Sequence, residues 1–508
     1  MHLMQSLNEE PQLPGEEAEE EEEEYPTSWK LGSITIGLGL SVFCLSLDNT
    51  ILSTAIPRIT DQFKSLEDVG WYGSSYLLTS CAMALTFGKL YTFYSTKWIY
   101  LIALFIFELG SLICAVTPNS VGLILGRAIA GLGAAELFSG ALIIIAQTVP
   151  LNRRPIFTAL MGLMYGISSV IGPLMGGAFT DYAMTGLFLL LFFKAPKSVK
   201  SKAGIKDQLG QLDILGTVIF MPCIICVLLA LQWGGTMYAW SSPRIIAVFV
   251  VFGPLLIAFI GVQWWQQDKA MVPPRLLKNR NVWGAAVYNF CVGSSFFIFI
   301  FYGVSATKPG IMNLPLLLPM IICSVLAGVC VSVIGYYTPF MIAAPILLST
   351  GGGLLSTLKV DSGHPLWIGY QAIYDIGVGI GIQQGMIVVQ TALSIADVPI
   401  ATALVMFAQT LGGPLFVSIG QNVFQSQLHK NILARASEID VAKVISAGAT
   451  MLRQAVPKDI LPAILEAYNE AITQTFYVSL AIGTIAIFFA LPIQWLSVKG
   501  RKLEMATA

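Results

Sequence analysis

The chain has 508 residues, of which 55% are hydrophobic and only 11% are charged, and its mean hydropathy is +0.74. Soluble domains carry about 25% charged residues, so this composition excludes a water-soluble globular protein and favours a membrane protein. The formal net charge is −1, and the basic residues are spread along the chain in several short groups, which argues against a nucleic-acid partner.

Residues 1–29 form an acidic segment. Ten glutamates and no Lys or Arg precede Lys30, so this segment carries −10 and the rest of the chain carries +9, the difference between −1 and −10. The segment has neither the basic start nor the apolar stretch of a signal peptide. We expect a disordered, solvated tail on the cytoplasmic side.

From residue 30 onward, apolar runs of bilayer length alternate with short polar breaks. An α-helix needs about 20 apolar residues to cross the hydrocarbon core, and about fourteen candidate segments follow one another. They span roughly residues 31–56, 69–93, 98–117, 121–149, 156–180, 184–193, 212–233, 243–265, 282–302, 310–336, 338–357, 366–393, 398–421 and 474–498. The sequence therefore predicts an all-α polytopic membrane protein.

The orientation follows from the basic residues, which cluster in alternate breaks. These breaks include residues 89–97, 153–154, 194–206, 269–280 and 499–502, and the positive-inside rule places them and both termini in the cytoplasm. The segment 184–193 conflicts with this pattern. The charges on either side require it to cross the membrane, yet ten residues at 1.5 Å each reach only about half the hydrocarbon core.

The longest break predicted outside the cytoplasm covers about residues 425–473. Its apolar residues Ile460, Ile464, Leu465 and Tyr468 have helical spacing, so we expect short amphipathic helices there. All eight cysteines lie inside apolar runs, where thiols pack as small hydrophobic groups, and no disulfide framework is expected.

Three motifs carry the functional information. The fourth segment contains Gly126-Arg127-Ala128-Ile129-Ala130-Gly131, in which a guanidinium lies among small residues inside a membrane helix. A buried charge in a membrane is expensive and marks a functional candidate. A structural arginine that ties two helices together is the alternative. The fifth segment concentrates Gly166, Gly172, Pro173, Gly176 and Gly177, which permits close helix packing and a kink.

Together with Leu47-Asp48-Asn49-Thr50-Ile51 in the first segment, these motifs resemble the major facilitator superfamily. The closest pattern is that of the fungal fourteen-span drug:proton antiporters, which include mycotoxin and multidrug efflux pumps, and the glycine motif resembles their GxxxGPxxGG element. The resemblance covers nearly all of residues 30–500. A fainter echo of that element, Gly412-Gly413-Pro414, occupies the corresponding place in the second half.

The resemblance implies two six-helix bundles around a central cavity, with two inserted helices between them and alternating access. We accordingly expect an N-terminal bundle at 30–193, a basic loop with the two extra helices at 194–281, and a C-terminal bundle at 282–498 that contains the outside loop 425–473. Residues 499–508 would form a cytoplasmic tail. We expect a monomer, in the cell membrane or the vacuolar membrane.

The chain departs from the family pattern in several places. Thr92 stands where the family has an acid in the loop between helices two and three, so the usual cytoplasmic charge relay is incomplete. Glu136 and Asp375 are carboxylates in helices of small residues, either lining the cavity or paired locally. Helix six, at 184–193, and the stretch after Tyr302 look shortened, which leaves a transport-inactive product as one alternative.

The expected function is proton-driven export of small hydrophobic organic compounds, either xenobiotics or a fungal secondary metabolite. Asp48 and Arg127 are the expected proton-coupling pair. Candidate cavity residues are polar or aromatic groups in apolar helices, each of which has helix-to-helix hydrogen bonding as its alternative role: Asn289, Tyr370, Gln371, Asp375, Gln383 and Gln409. Protons, lipid and a small solute are the expected partners, and no cofactor, metal or enzymatic activity is expected. An uptake permease for a nutrient or an iron chelate is the rival function on the same fold.

Overall fold

The computed structural model describes residues 28–63, 68–179, 213–235, 238–304, 314–435, 456–457 and 459–499. Fifteen α-helices occupy most of these ranges. They are α1 Ser28–Phe63, α2 Val69–Phe93, α3 Thr96–Val116, α4 Ser120–Thr148, α5 Arg154–Phe179, α6 Ile214–Trp233, α7 Pro243–Gln266, α8 Pro274–Lys278, α9 Arg280–Val304, α10 Leu314–Ile334, α11 Thr338–Leu355, α12 His364–Gly381, α13 Gln384–Ala392, α14 Val398–Arg435 and α15 Leu461–Ala490.

Thirteen of the predicted membrane segments are helical in the described ranges. Eleven spans, with α12 and α13 counted as one, have the length and composition to cross a membrane. The other two helices, α2 and α5, have 25 and 26 residues and are also long enough to cross. The predicted tail before residue 28, the short segment 184–193, the basic loop 194–206 and the residues that directly follow Val304 lie outside the described residues.

The N-terminal bundle is built from α1 to α5. Helix α4 is its centre and contacts α1, α2, α3 and α5. Glycines allow the closest approaches: a Cβ on Gly110 of α3 would overlap the backbone of Ala130, and a Cβ on Gly133 of α4 would overlap that of Phe107. Small residues therefore let these helices pack at backbone contact, as is typical in membranes.

The C-terminal bundle is built from α9 to α15. Helix α9 packs against α14 and α15, and α12 packs against α10 and α11. A buried hydroxyl cluster ties three of these helices, because Ser295 contacts the hydroxyls of Tyr374 and Ser479 at 2.7 and 2.8 Å. Hydrogen-bonded hydroxyls of this kind join helices that gain little from hydrophobic burial in lipid.

The two bundles contact each other through α5 with α10, and through α2 and α4 with α14. The inserted pair α6–α7 rests on this junction, because α6 contacts both α2 and α14. Helix α7 lies outermost, with Val250 64% and Ile257 73% exposed. Since lipid is the solvent at this depth, such exposed apolar side chains are favourable here.

Two of the predicted segments that differ from the structure are 366–393 and 474–498. The segment 366–393 is divided into α12 and α13 at Ile382 and Gln383, within a glycine-rich run that includes Gly379 and Gly381. Glycine weakens helices because it loses the most backbone freedom on folding. The last helix begins at Leu461 and ends at Ala490, earlier at both ends than the predicted 474–498.

Parts of the predicted outside loop 425–473 belong to the helices α14 and α15. Helix α14 extends to Arg435 and α15 begins at Leu461, so the described ends of the loop are extensions of membrane helices and not separate short helices. Leu428 and Ile432 of α14 pack with Ile464 and Ala467 of α15 in a small apolar cluster. Residues 436–455 of the loop lie outside the described residues.

Candidate functional site

Asp48 of α1 and Arg127 of α4 form an ion pair inside the N-terminal bundle. Their sequence motifs lie 79 residues apart, and the guanidinium Nη1 donates to the Asp48 Oδ2 at 2.5 Å. The Arg127 side chain is 4% exposed and that of Asp48 is 25% exposed. The pair therefore has a buried cation and a carboxylate that remains partly accessible.

Helix α2 supplies the other contacts of the Arg127 side chain. Its Nε donates to the carbonyl oxygen of Tyr72 at 3.0 Å, and its guanidinium lies over the ring of Tyr76, 4.2 Å from the centroid. Asn49, next to Asp48, donates to the Tyr76 hydroxyl at 3.2 Å. A buried guanidinium needs such partners, because an ion pair alone does not offset the loss of hydration.

Sequence reasoning did not predict these contacts of Arg127 with α2, and it missed one further carboxyl group nearby. Glu108 of α3 lies within electrostatic reach of Asp48 and of Cys44, so a second carboxyl group lies near the acidic member of the ion pair. The signal that was available is the position of Glu108 inside the apolar run of α3. The sequence alone does not show which face of that helix it occupies.

The glycine motif of α5 packs partly on α1. Ser168 stands four residues before Gly172, where the motif has its first glycine, and donates to the carbonyl of Phe43 at 2.7 Å. Ser46 of α1 donates to the carbonyl of Tyr165 at 2.9 Å. Gly166 instead faces Ile321 of α10. The motif's other residues, Gly172, Pro173, Gly176 and Gly177, all lie within α5.

Among the predicted cavity residues, three amide side chains gather beside the α12–α13 break. Asn289 donates to the side chain of Gln409 at 2.9 Å and to the carbonyl of Ile382 at 3.1 Å. Gln383 donates to Ser324 of α10 at 3.1 Å. Asn289 is fully buried, while Gln383 and Gln409 are partly exposed. Asn289 thus joins α9 to the α12–α13 break and to Gln409 of α14, and the two glutamines keep accessible surface.

The other three predicted cavity residues lie elsewhere on α12. Tyr370 is partly buried and packs against the apolar core. Gln371 is 5% exposed and Asp375 is 0% exposed, and among the described residues neither the Gln371 Oε1 nor the Asp375 carboxylate accepts a hydrogen bond. The structure therefore does not bring the six predicted residues together into one group.

The ends of the helices near the predicted cytoplasmic breaks carry a second polar network. Arg275 of α8 binds Asp397, which precedes α14, with a fork of two hydrogen bonds at 2.6 and 2.8 Å, and it also binds Asp268 at 2.8 Å. The hydrogen bonds with Asp397 raise the pKa of Arg275 above its ordinary value, so it stays charged. Lys89 of α2 donates to the backbone carbonyl of Asp268 at 2.7 Å.

Lys89 of this network lies near the loop between α2 and α3, where the resemblance leads us to expect an incomplete charge relay. Thr92 donates to the carbonyl of Gly88 in its own helix at 3.4 Å. Arg154, which is 2% exposed, joins the two bundles directly by donating to the carbonyl of Gln390 at 3.4 Å. Lys89, Arg154 and Arg275 thus make contacts that sequence reasoning did not assign to them.

A family model for the Major Facilitator Superfamily matches residues 38–417, which is most of the chain. The chain belongs to this superfamily. It is a polytopic membrane transporter and not an enzyme, and like other members it acts on small molecules.

Fungal transporters are similar to it over nearly their whole length. The MFS-type transporter astH of Aspergillus oryzae is 56% identical, over 97% of this chain and 91% of that protein. The efflux pump roqT of Penicillium rubens is 54% identical, over 93% and 92%. The MFS-type efflux pump MFS1 of Arthroderma benhamiae is 49% identical, over 95% and 94%.

Solved structures show the same fold at low sequence identity. The proton:xylose symporter XylE matches with a TM-score of 0.56 and 13% identity, over 94% of this chain and 98% of that one. The human organic anion transporter MFSD10 matches with a TM-score of 0.55 and 13% identity, over 92% and 100%. These likenesses support the two-bundle architecture alone.

Proposed function

We propose that this transporter exports small, largely hydrophobic organic compounds in exchange for protons. The observation that carries the proposal is the buried ion pair between Asp48 and Arg127. A partly accessible carboxylate held by a buried arginine can bind a proton reversibly, because the arginine remains charged while the carboxylate does not have to. Relatives that are named efflux pumps support the outward direction.

Proton binding at Asp48 would release α1 from its neighbours. A neutral Asp48 no longer attracts Arg127, which keeps its contacts with Tyr72 and Tyr76 of α2. The change therefore weakens α1 against α2 and α4. Because α1 is hydrogen-bonded to α5, and α5 contacts α10 of the other bundle, protonation is coupled to the arrangement of the two bundles.

The substrate would bind between the bundles, against amides and aromatic rings. The partly exposed Gln383 and Gln409 offer hydrogen bonds from the C-terminal bundle. Phe290 and Phe416 stack edge to face with centroids 5.8 Å apart, and both remain partly exposed. A site with few polar groups and much apolar surface favours hydrophobic compounds such as xenobiotics or fungal secondary metabolites.

The contacts near the predicted cytoplasmic breaks support a conformation that is closed on that side. Arg154 reaches α13, and Gly88 of α2 packs directly on Ala403 of α14. Export then requires these contacts to break so that the substrate can enter from the cytoplasm. The proposal includes a monomer in the cell membrane with both termini in the cytoplasm.

The proposal is tested by accumulation of rhodamine 6G, a fluorescent hydrophobic cation, in yeast that lacks its own drug exporters. Cells that express the chain should accumulate less dye, and a protonophore or Arg127→Ala should restore accumulation, at equal amounts of membrane-inserted protein. Arg127→Lys is the matched control, because it keeps the positive charge and removes the guanidinium group. Dye efflux by Arg127→Ala at the wild-type rate would contradict the coupling role, and increased accumulation by the wild type would indicate uptake.

A further inference from the structure

Glu136 is a carboxylic acid in the middle of α4 with no exposed surface. Neither of its carboxyl oxygens accepts a hydrogen bond of good geometry within the described residues. No Lys or Arg in the described part of the chain forms an ion pair with it. The Asp48–Arg127 pair does not involve this group, so its burial calls for a separate explanation.

Hydroxyl groups surround the Glu136 carboxyl. Those of Tyr91 on α2 and Ser139 on α4 lie beside it, and Tyr100 of α3 is within electrostatic reach. Gly140 keeps the space between them open, because a Cβ there would overlap the Tyr91 hydroxyl and lie 3.0 Å from the Glu136 Oε1. The surroundings from α2, α3 and α4 therefore contain tyrosine and serine hydroxyls but no cation.

An ionised carboxylate in these surroundings would be an uncompensated buried charge. Burying such a charge is far more unfavourable than burying the neutral acid. The neutral acid is therefore the form of Glu136 that these surroundings favour, whereas the Asp48 carboxyl lies against the Arg127 guanidinium. The N-terminal bundle thus contains two acids in opposite electrostatic surroundings.

A pair of hydroxyl groups from α1 and α3 lies near Glu136, on the predicted cytoplasmic side of the ion pair. Ser41 lies two helical turns from Asp48 on the same face of α1, and its hydroxyl contacts that of Tyr100. Tyr100 in turn donates to the carbonyl of Leu137, next to Glu136, at 3.4 Å. Glu136 is nine residues along α4 from Arg127, about 13.5 Å at 1.5 Å per residue, in the direction of the predicted cytoplasmic side.

We infer that Glu136 is a second proton-binding site, between the Asp48–Arg127 pair and the cytoplasm, an inference that rests on the proposed proton-coupled transport. When the transporter opens to the cytoplasm, the O–H bond of Glu136 breaks and its proton passes to water. Asp48 takes up a proton from water when the transporter opens to the outside and its ion pair with Arg127 breaks. After the opening to the cytoplasm, the O–H bond of Asp48 breaks as that ion pair re-forms, and the proton passes to the Glu136 carboxylate. Each cycle moves one proton inward and restores both acids.

The test uses the full-length protein in proteoliposomes with rhodamine 6G. Glu136→Gln keeps the shape and polarity of the side chain but cannot release a proton. Dye accumulation driven by a pH gradient should fall at least about tenfold relative to dye-for-dye exchange, within the usual range of coupling energies. Glu466→Gln, which neutralises an acid at the exposed end of α15, should leave this ratio unchanged. Equal ratios for Glu136→Gln and the wild type would overturn the inference, as would a loss of exchange in folded Glu136→Gln protein.

A second measurement needs no transported dye. Infrared spectra of the purified protein at neutral pH should contain the carbonyl stretch of a protonated carboxyl group that is absent from Glu136→Gln, and titration should remove it at high pH. Identical spectra would show that Glu136 is ionised and would refute the inference. If the wild type itself shows no gradient-driven transport, the proposed function fails, whereas normal coupling in Glu136→Gln makes only this inference fail.

Discussion

Arg275 and Asp397 are joined by a fork of two hydrogen bonds at 2.6 and 2.8 Å, across 122 residues of sequence. Arg275 follows the inserted helix pair α6–α7, and Asp397 directly precedes α14. Asp268 accepts from the same guanidinium, while its backbone carbonyl accepts from Lys89 of the N-terminal bundle. The linker after the inserted pair thereby connects the two bundles at one end of the molecule.

Loss of this fork should favour opening at that end. Arg275→Ala removes a pair whose arginine side chain is 54% exposed, so we expect a change of about 0.2–1 kcal/mol, or up to about a fivefold change in population. Gln147 and Ile395 line a crevice between α4 and the start of α14. Spin labels on these two residues should show a larger share of long distances. Arg275→Lys keeps the charge without the fork and should be intermediate. An unchanged distance distribution in Arg275→Ala would contradict the role of the fork.

Disruption of the contact between Gly88 and Ala403 should also favour opening at that end of the molecule. A Cβ on Gly88 would overlap the Ala403 Cβ and press on the carbonyl of Pro399, so Gly88→Ala should disfavour the contact of α2 with α14 by about 1–3 kcal/mol. The same pair of spin labels measures the effect. Gly73→Ala, on the same helix with nothing within 4 Å, is the matched control and should leave the distances unchanged. Equal distances in both variants would show that the packing is loose.

Asn289 should contribute mainly to stability. Asn289→Leu removes two donated hydrogen bonds and leaves the carbonyl of Ile382 and the Gln409 side chain without this donor, an expected loss of about 1–3 kcal/mol. Thermal unfolding of the purified protein measures it. Because Gln409 is a shared partner, adding Gln409→Leu should lower stability by less than the sum of the single changes. Strict additivity would mean that the Asn289–Gln409 hydrogen bond contributes nothing.

Much of the fold was predictable because each membrane segment carries its own signal. The bounds of α2 were predicted to the residue, and α3, α4 and α6 within two residues, since hydrophobic length is a local property of the sequence. The C-terminal end of α14 and the N-terminal end of α15 were not predicted. They are stabilised by the mutual packing of residues such as Leu428 and Ile464, which depends on a contact between distant parts of the chain.

The candidate site also contains some residues that the sequence predicts and others that only the structure shows. Asp48 and Arg127 were predicted because a charge in an apolar helix is conspicuous, and their pairing followed from the resemblance to a known family. The pairing of Arg275 with Asp397 was not predicted, because both belong to polar breaks where charges are ordinary. Glu136 was recognised as unusual, but only the structure shows its complete burial and the hydroxyls of Tyr91 and Ser139 beside it.

The most direct measurement of the central claim is proton movement during rhodamine 6G entry into proteoliposomes that contain a trapped pH indicator, with potassium and valinomycin to remove the membrane potential. Dye added outside should raise the internal pH, because the entry of dye is coupled to the exit of protons. Asp48→Asn should transport dye without this pH change, since its side chain cannot carry a proton. Wild-type dye entry at constant internal pH would contradict proton coupling, and a fall in internal pH would identify a symporter.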